Sequence, residues 1–364
     1  MNTNFGRRLG RVIALAALPI VVVLAGCSGA SEEEGAAPAG EEAQTGPVRA
    51  TLSADKLSVG GKEGVNVKVT LTNESAETVR LLKWETIADG LKEPLFVLTH
   101  DGQPVKYQGA HYKRAEPTES DYLTLGPGEA LTGSVDLAQY YDMSASGNYD
   151  VQFRRDDIVS NHVTLQAESH ISPQSARAAL RGAELSTQAV DLAAGTKFVS
   201  CSSSRQSGIN TAYSSAQTYA TNASNYVNDH TSATLRYTTW FGSYTSARHS
   251  TVQSHFSKIK NAYSSQTFTF DCTCTDSNTY AYVYPDQSYY IYLCGAFWSA
   301  PNTGTDSRAG TIIHESSHFT VLGGTDDYVY GQSGAKNLAK SNPGQAVMNA
   351  DSHEYFAENN PAQP

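Results

Sequence analysis

Two periodicities divide this chain. From about residue 48 to residue 167, apolar and polar positions alternate with a period of two: Val65, Val67, Val69 and Leu71 share one face, as do Tyr149, Val151 and Phe153. Turn signals recur at Asn73, Asp101-Gly102, Gly126-Pro127-Gly128 and Gly147-Asn148, a rhythm of short strands that predicts an all-β, sandwich-like domain. Past residue 167 the pattern changes. A short helical stretch around Ser175 to Arg181 gives way to small and polar residues through Ala193-Ala194-Gly195-Thr196, so 168–196 reads as a linker open to proteolysis. Helices are then expected near 204–228 and 246–264, and a strand over Thr267 to Phe270. Alternating Tyr280, Tyr282, Tyr284 and Tyr290, Tyr292 flank a Pro285-Asp286-Gln287-Ser288 turn and predict a hairpin, with most of these rings read as half-buried packing. The run Thr311, Ile312, Ile313 leads into a further helix that Gly323-Gly324 should end, and a last helix is expected to begin near Pro343. The expectation is a multidomain chain, all-β first and α+β second.

Length and composition agree with more than one core: 364 residues, 40% of them hydrophobic. A formal net charge of −10 argues against a nucleic-acid partner. Part of that charge, Glu32, Glu33, Glu34, Glu41 and Glu42, lies in an Ala/Gly-rich stretch over 28–47 that reads as an acidic disordered tether. Residues 1–27 read as a targeting segment, with Arg7, Arg8 and Arg11 ahead of the apolar run Val12 to Leu24. Leu24-Ala25-Gly26-Cys27 resembles the bacterial lipobox, which would lipidate Cys27 and tie the precursor to the cell envelope; a plain secretory signal or an uncleaved anchor is the alternative. Either way the chain is exported. Cys201, Cys272, Cys274 and Cys294 remain, an even number suited to disulfides in an oxidising compartment. A second metal site is the rival reading, but Cys272-Thr273-Cys274 has the wrong spacing for it.

The chemistry concentrates in His314-Glu315-Ser316-Ser317-His318. Positions i and i+4 of a helix stack on one face, so both imidazoles can reach one Zn2+ ion, with Glu315 beside it as a general base for water. A catalytic zinc takes three protein ligands and keeps a fourth position open. Asp327, past the glycine pair, is the best third ligand; Asp326 is the competing carboxylate. Tyr330 is placed to support an oxyanion, although in so tyrosine-rich a segment a packing role is equally natural. A strand beside this helix could hold an extended peptide by edge pairing.

These residues, His-Glu-x-x-His followed by Gly324-Thr325-Asp326-Asp327-Tyr328-Val329-Tyr330-Gly331, resemble the aspzincin signature of the deuterolysin family of zinc metalloendopeptidases. The resemblance implies His314, His318 and Asp327 as ligands of one zinc in the catalytic domain, Glu315 as base and Tyr330 as transition-state stabiliser. Cys201-Ser202-Ser203-Ser204 and the segment from Asn349 to Phe356 look like the peptidyl-Lys branch, so the likeness covers roughly 197–364 and not the first half. It implies a zincin-like fold there and the pairings Cys201 to Cys272 and Cys274 to Cys294.

Asp351 and Glu354 stand three apart on the expected last helix and share a face. Read alone, with Glu358 extending the row, they suggest an ordinary solvated acidic face. Read through the branch they resemble, they form the pocket for a lysine just after the cleaved bond, where two anions suit a compact ammonium.

The expected organisation is therefore 1–27 leader, 28–47 tether, 48–167 propeptide or binding domain, 168–196 linker and 197–364 peptidase. The expected activity is hydrolysis of protein or peptide bonds on the amino side of lysine, from a precursor processed at Thr196-Lys197 and releasing its catalytic domain extracellularly. Broad specificity, or a surface binding lipoprotein with a vestigial peptidase, are the alternatives. With Cys27 lipidated, the first half has no cysteine to cap a metal, so any inhibition there must be steric or use another side chain.

Overall fold

The computed structural model describes residues 46–185 and 195–364. The leader with Cys27, the tether up to residue 45 and residues 186–194 of the linker fall outside the described residues.

The first half contributes β1 (Val48–Ala54), β2 (Ser58–Val59), β3 (Asn66–Asn73), β4 (Val79–Leu82), β5 (Phe96–His100), β6 (Gln103–Pro104), β7 (His111–Arg114), β8 (Tyr122–Leu125), β9 (Ala130–Asp136), β10 (Gly147–Arg155) and β11 (Ile158–Ala167). Two sheets form, in the orders β1-β3-β9 and β2-β11-β10-β5-β6, with β4 and β8 paired separately. The alternation set by the sequence puts Val65, Val67, Val69, Leu71, Tyr149, Val151 and Phe153 into one shared core, each essentially without solvent exposure. Burying such side chains contributes about 1.5–3 kcal/mol each relative to exposure, which is what fixes the register of each strand.

The helix α1 (Pro173–Leu185) and the strand β12 (Gly195–Val199) occupy ground expected to be linker. Thr196 and Lys197 thus lie inside a strand, paired in parallel with Phe268 and Thr269. The second half continues with α2 (Ser203–Asp229), α3 (Leu235–Phe241), α4 (Ser246–Ser265), β13 (Thr267–Asp271), β14 (Thr279–Val283), β15 (Tyr290–Leu293), α5 (Gly295–Ser299), α6 (Arg308–His318), α7 (Gly331–Ser341), α8 (Pro343–Ala346) and α9 (Ala350–Glu358). Ser202, Thr245 and Ser307 cap the amino ends of α2, α4 and α6 through their side-chain oxygens. The buried stripe Ile209, Ala212, Ala216, Ala220, Ala223 and Val227 lets α2 approach α6 closely. A second core, distinct from that of the first half, gathers around this helix layer and the sheet.

One strand crosses the expected domain boundary. The sheet of the second half runs β12-β13-β15-β14-β7, so its outer strand comes from the first half. The strand β7 pairs antiparallel with β14, His111 opposite Val283, Tyr112 opposite Tyr282 and Lys113 opposite Ala281, with an irregularity before Thr279 and Arg114.

The expected hairpin forms: β14 and β15 pair antiparallel with Tyr282 opposite Tyr292. Those two rings stack 4.5 Å apart, and they are half-buried. Both expected disulfides are present, Cys201 with Cys272 and Cys274 with Cys294, tying the start of α2 to the end of β13 and the following loop to the start of α5. Two helix boundaries differ from expectation. The helix α6 ends at His318 itself, and Gly324, with φ +60, shapes the return loop instead of the helix end. The helix begun at Pro343 stops after one turn, and α9 starts afresh at Ala350.

Candidate metal centre and substrate cleft

Every residue of the α6 segment from Ala309 to His318 is buried, so the polar groups of the motif sit in a low-dielectric interior where each must find a partner. His318 Nδ1 lies 2.7 Å from the carbonyl oxygen of Thr325, to which it donates, leaving Nε2 as the atom available to a metal. His314 Nδ1 lies 2.8 Å from Asp351 Oδ1 and 3.4 Å from Glu354 Oε2, contacts of charge without hydrogen-bond alignment, which leave Nε2 as the ring atom turned toward His318. The two Nε2 atoms face each other at 3.2 Å.

The loop after α6 brings a carboxylate to the same point. Asp326 N donates to Met348 O at 2.8 Å, Ala350 N donates to Asp326 O at 3.0 Å, and the Asn349 side chain accepts from Tyr328 N and Val329 N at 3.0 and 3.2 Å. The loop is thereby fastened to the start of α9. Asp327 Oδ1 lies 3.1 Å from His314 Nε2 and Oδ2 lies 3.4 Å from His318 Nε2, while neither oxygen has a directed hydrogen bond. Asp326 turns elsewhere, toward the Tyr328 hydroxyl at 3.3 Å.

Donor atoms at 2.0–2.2 Å from a tetrahedral zinc stand about 3.3–3.5 Å apart from one another. The three observed separations, 3.1 Å to Asp327 Oδ1, 3.2 Å between the imidazoles and 3.4 Å to Asp327 Oδ2, come close to that spacing, and two imidazoles with one carboxylate are a donor set that suits zinc. Despite burial, which pushes its carboxyl up, Asp327 is held well below the usual range by the imidazoles of His318 and His314. Glu315 is fully buried with no hydrogen-bond partner on either oxygen, and burial pushes it up to about 7.

Asp351 and Glu354 are buried, not a solvated face. Glu358 is buried too, and it accepts from Ser307 N at 2.9 Å and Ser307 Oγ at 2.7 Å, capping the start of α6. Between these carboxylates lies a residue that periodicity could not single out, Lys113 of β7. Its ammonium, without solvent exposure, is 2.7 Å from Glu354 Oε2, 3.2 Å from Asp351 Oδ1 and 3.3 Å from Asp306 Oδ1. Burial alone would push the amine down, but Asp351 and Glu354 hold it charged, well above its usual value. Asp306, also missed by the sequence reading, accepts a 2.6 Å hydrogen bond from Tyr355 Oη as well.

Tyr330 is buried, and its hydroxyl accepts from Arg114 Nη1 at 2.8 Å and donates to Glu93 Oε1 at 3.1 Å. Arg114 and Glu93 themselves form a buried ion pair. His111, at the head of β7, places its ring 4.8 Å from that of His318. Four residues of the first half therefore reach the site: His111, Lys113 and Arg114 on β7, placed by its pairing with β14, and Glu93, held there by Arg114 and Tyr330.

A helix bearing two histidines and a buried glutamate, a carboxylate returned by the following loop, and a peptide strand lying on the adjacent sheet edge define a metallopeptidase. The family model described as lysine-specific metallo-endopeptidase, the aspzincins, matches residues 226–358. The extracellular protease of Aeromonas hydrophila is 43% identical over 84% of this chain and 91% of its own length. The peptidyl-Lys metalloendopeptidase of Armillaria mellea is 43% identical over 84% of this chain and 90% of its own. That of Pleurotus ostreatus is 66% identical over 45% of this chain and 98% of its own. Among solved structures, a zinc peptidase from Grifola frondosa is 59% identical, covers 45% of this chain and all of its own, and superposes with a TM-score of 0.44. The chain belongs to the aspzincin family of zinc metalloendopeptidases. The likeness is also wider than the 197–364 expected from the motifs, because an alignment over 84% of the chain must include much of the β-rich half.

Proposed function

We propose that the chain is the precursor of a zinc endopeptidase that cleaves on the amino side of lysine, and that its sandwich-like first domain, residues 48–167, holds Lys113 in the enzyme's own lysine pocket until it is removed. The observation that carries this reading is the buried ammonium of Lys113 among Asp351, Glu354 and Asp306. A lone lysine is almost never fully buried unless paired, and here the pairing residues are those expected to select a substrate lysine. The antiparallel pairing of β7 on β14 is the way an extended substrate would add to this sheet edge.

In the released enzyme, His314, His318 and Asp327 would hold one zinc, which would supply a Lewis acid for the scissile carbonyl. Glu315 takes a proton from the attacking water and passes it to the leaving amine. Tyr330, freed from Arg114 and Glu93, donates its hydroxyl to the developing oxyanion. Asp351 and Glu354 bind the substrate lysine after the cleaved bond, with Asp306 completing the pocket. Residues 1–27 direct export, Cys27 carries a lipid, 28–47 is a tether, 168–196 joins the halves and 197–364 is the peptidase. Cleavage at Thr196-Lys197 releases it; the strand β12 must first leave its sheet for that bond to enter a cleft. Two disulfides and a relative named extracellular protease support export.

The test is metal analysis of the released domain together with mass mapping of an unstructured protein digested by it. One zinc per domain and cuts confined to bonds before lysine are expected, with loss of that preference in Asp351→Ala and Glu354→Ala. Cuts without lysine preference would leave a broad-specificity aspzincin and remove the pocket assignment.

A further inference from the structure

We propose that His111 is an additional metal ligand in the precursor, occupying the coordination position that hydrolysis reserves for water, so that the Tyr112–Lys113 bond lies in the cleft without being cut. This rests on the lysine-specific reading above and explains a difficulty within it. A strand that places lysine in the specificity pocket, paired as a substrate would pair, presents a bond that the enzyme should hydrolyse.

His111 and Lys113 stand two apart on β7 and so project from the same face of the strand. Lys113 reaches the carboxylates of α9, and His111 reaches the metal centre. Ligand atoms of His111, His318 and Asp327 all lie within 4.8 Å of one another. The imidazole is buried, and the acidic oxygen nearest to it, Asp326 Oδ1 at 3.9 Å, is beyond hydrogen-bonding range. A buried imidazole beside two of the three metal-binding side chains, without a carboxylate partner of its own, is disposed toward the ion those side chains hold. The hydrogen bonds from Arg114 to Tyr330 and from Tyr330 to Glu93 complete the block, since they engage the hydroxyl that the reaction needs.

Removing the imidazole should reopen the position to water. Water oxygen then adds to the Tyr112 carbonyl carbon, the bond to Lys113 nitrogen breaks, and that nitrogen leaves with the proton taken up by Glu315. The experiment uses the full precursor with Glu315→Gln, which cannot process itself, loaded with zinc. X-ray absorption at the zinc edge should count three imidazoles, and two in the Glu315→Gln, His111→Ala double variant. Zinc transfer to a chelator should be at least tenfold faster from the double variant, and His111→Asn, which keeps size and polarity, guards against a folding defect when checked by near-ultraviolet circular dichroism. With Glu315 intact, mass mapping should find cleavage between Tyr112 and Lys113 in His111→Ala and none in the wild type. Two imidazoles in both zinc-loaded precursors would overturn the assignment while a released domain that still cuts before lysine keeps the function standing. A released domain without zinc or without that cleavage would overturn both.

Discussion

Replacing Lys113 by methionine isolates the charge that β7 brings to the pocket, because methionine keeps an unbranched side chain of similar reach. The substitution removes the one cation among Asp306, Asp351 and Glu354, whose oxygens lie 2.7–3.3 Å from the lost ammonium. Breaking a buried ion pair by deleting one partner costs about 3–5 kcal/mol. Glu354 is already pushed up by burial and can shed its charge by taking a proton, which places the cost toward the lower end. At about 1.4 kcal/mol per factor of ten, the closed arrangement should weaken roughly a hundred- to several-thousand-fold. The assay is hydrolysis of a fluorogenic peptide with lysine after the scissile bond, by uncut precursor whose length is verified by mass. Wild-type precursor should be nearly silent and Lys113→Met should show activity at least tenfold higher, with an earlier thermal transition. If the variant stays as silent as the wild type and unfolds at the same temperature, Lys113 carries no part of the latency.

Glu315→Gln in the released domain should keep its zinc and lose about two to four orders of magnitude in kcat, read by metal analysis beside steady-state kinetics. Tyr330→Phe should lower kcat by about a hundred- to a thousandfold with little change in KM, since the hydroxyl is asked to act on the oxyanion and not on the bound substrate. Metal uptake should depend on pH in a defined direction. In the metal-free protein Glu315 is pushed up to about 7 by burial, and, despite burial, Asp327 holds His314 well above its usual value and His318 above it. Those protons must leave when a cation enters, so apparent zinc affinity should rise as pH increases from 6 to 8. Calorimetry in buffers of different ionisation enthalpy should record proton release on binding, and proton uptake would contradict the assignment.

The metal helix was legible because the 3.6-residue period alone decides that His314 and His318 share a face and that Glu315 does not. Asp327 was legible because the loop that returns it is short, and it needed no more geometry than a turn after α6. The helix α7 was not, since Gly331 and Gly334 in its first turns weaken the local signal and packing of Ala335, Leu338 and Ala339 outweighs it. By pattern alone the acidic row of α9 suggested surface, because periodicity cannot tell a face turned to water from one turned to a buried cation; only the family resemblance pointed to a pocket. For β7 the failure was more basic. Alternation can announce a strand, but its partner β14 lies on the far side of more than a hundred residues, and nothing local encodes that pairing. Lys113 accordingly looked like any of the lysines in the first half, most of which are solvent-exposed.

One carboxylate joins the pocket that holds Lys113 to the candidate metal site. Asp351 Oδ1 lies 2.8 Å from His314 Nδ1 and 3.2 Å from Lys113 Nζ, while Oδ2 accepts from Gly331 N at 2.7 Å, next to Tyr330. A cation in the pocket therefore settles the charge of the group that orients a metal-binding imidazole, and an uncharged occupant leaves that group with an unmet partner. In the proposed pocket, discrimination against neutral side chains would follow from this penalty as much as from attraction to the ammonium. Arginine would be disfavoured on different grounds, because a planar fork is poorly matched to three carboxylates that converge on a point. Under the proposed function the precursor would use the same discrimination in reverse, with a tethered lysine filling the pocket that rejects other residues. Specificity and latency would then rest on a single set of buried charges, and a change that relaxes one should loosen the other.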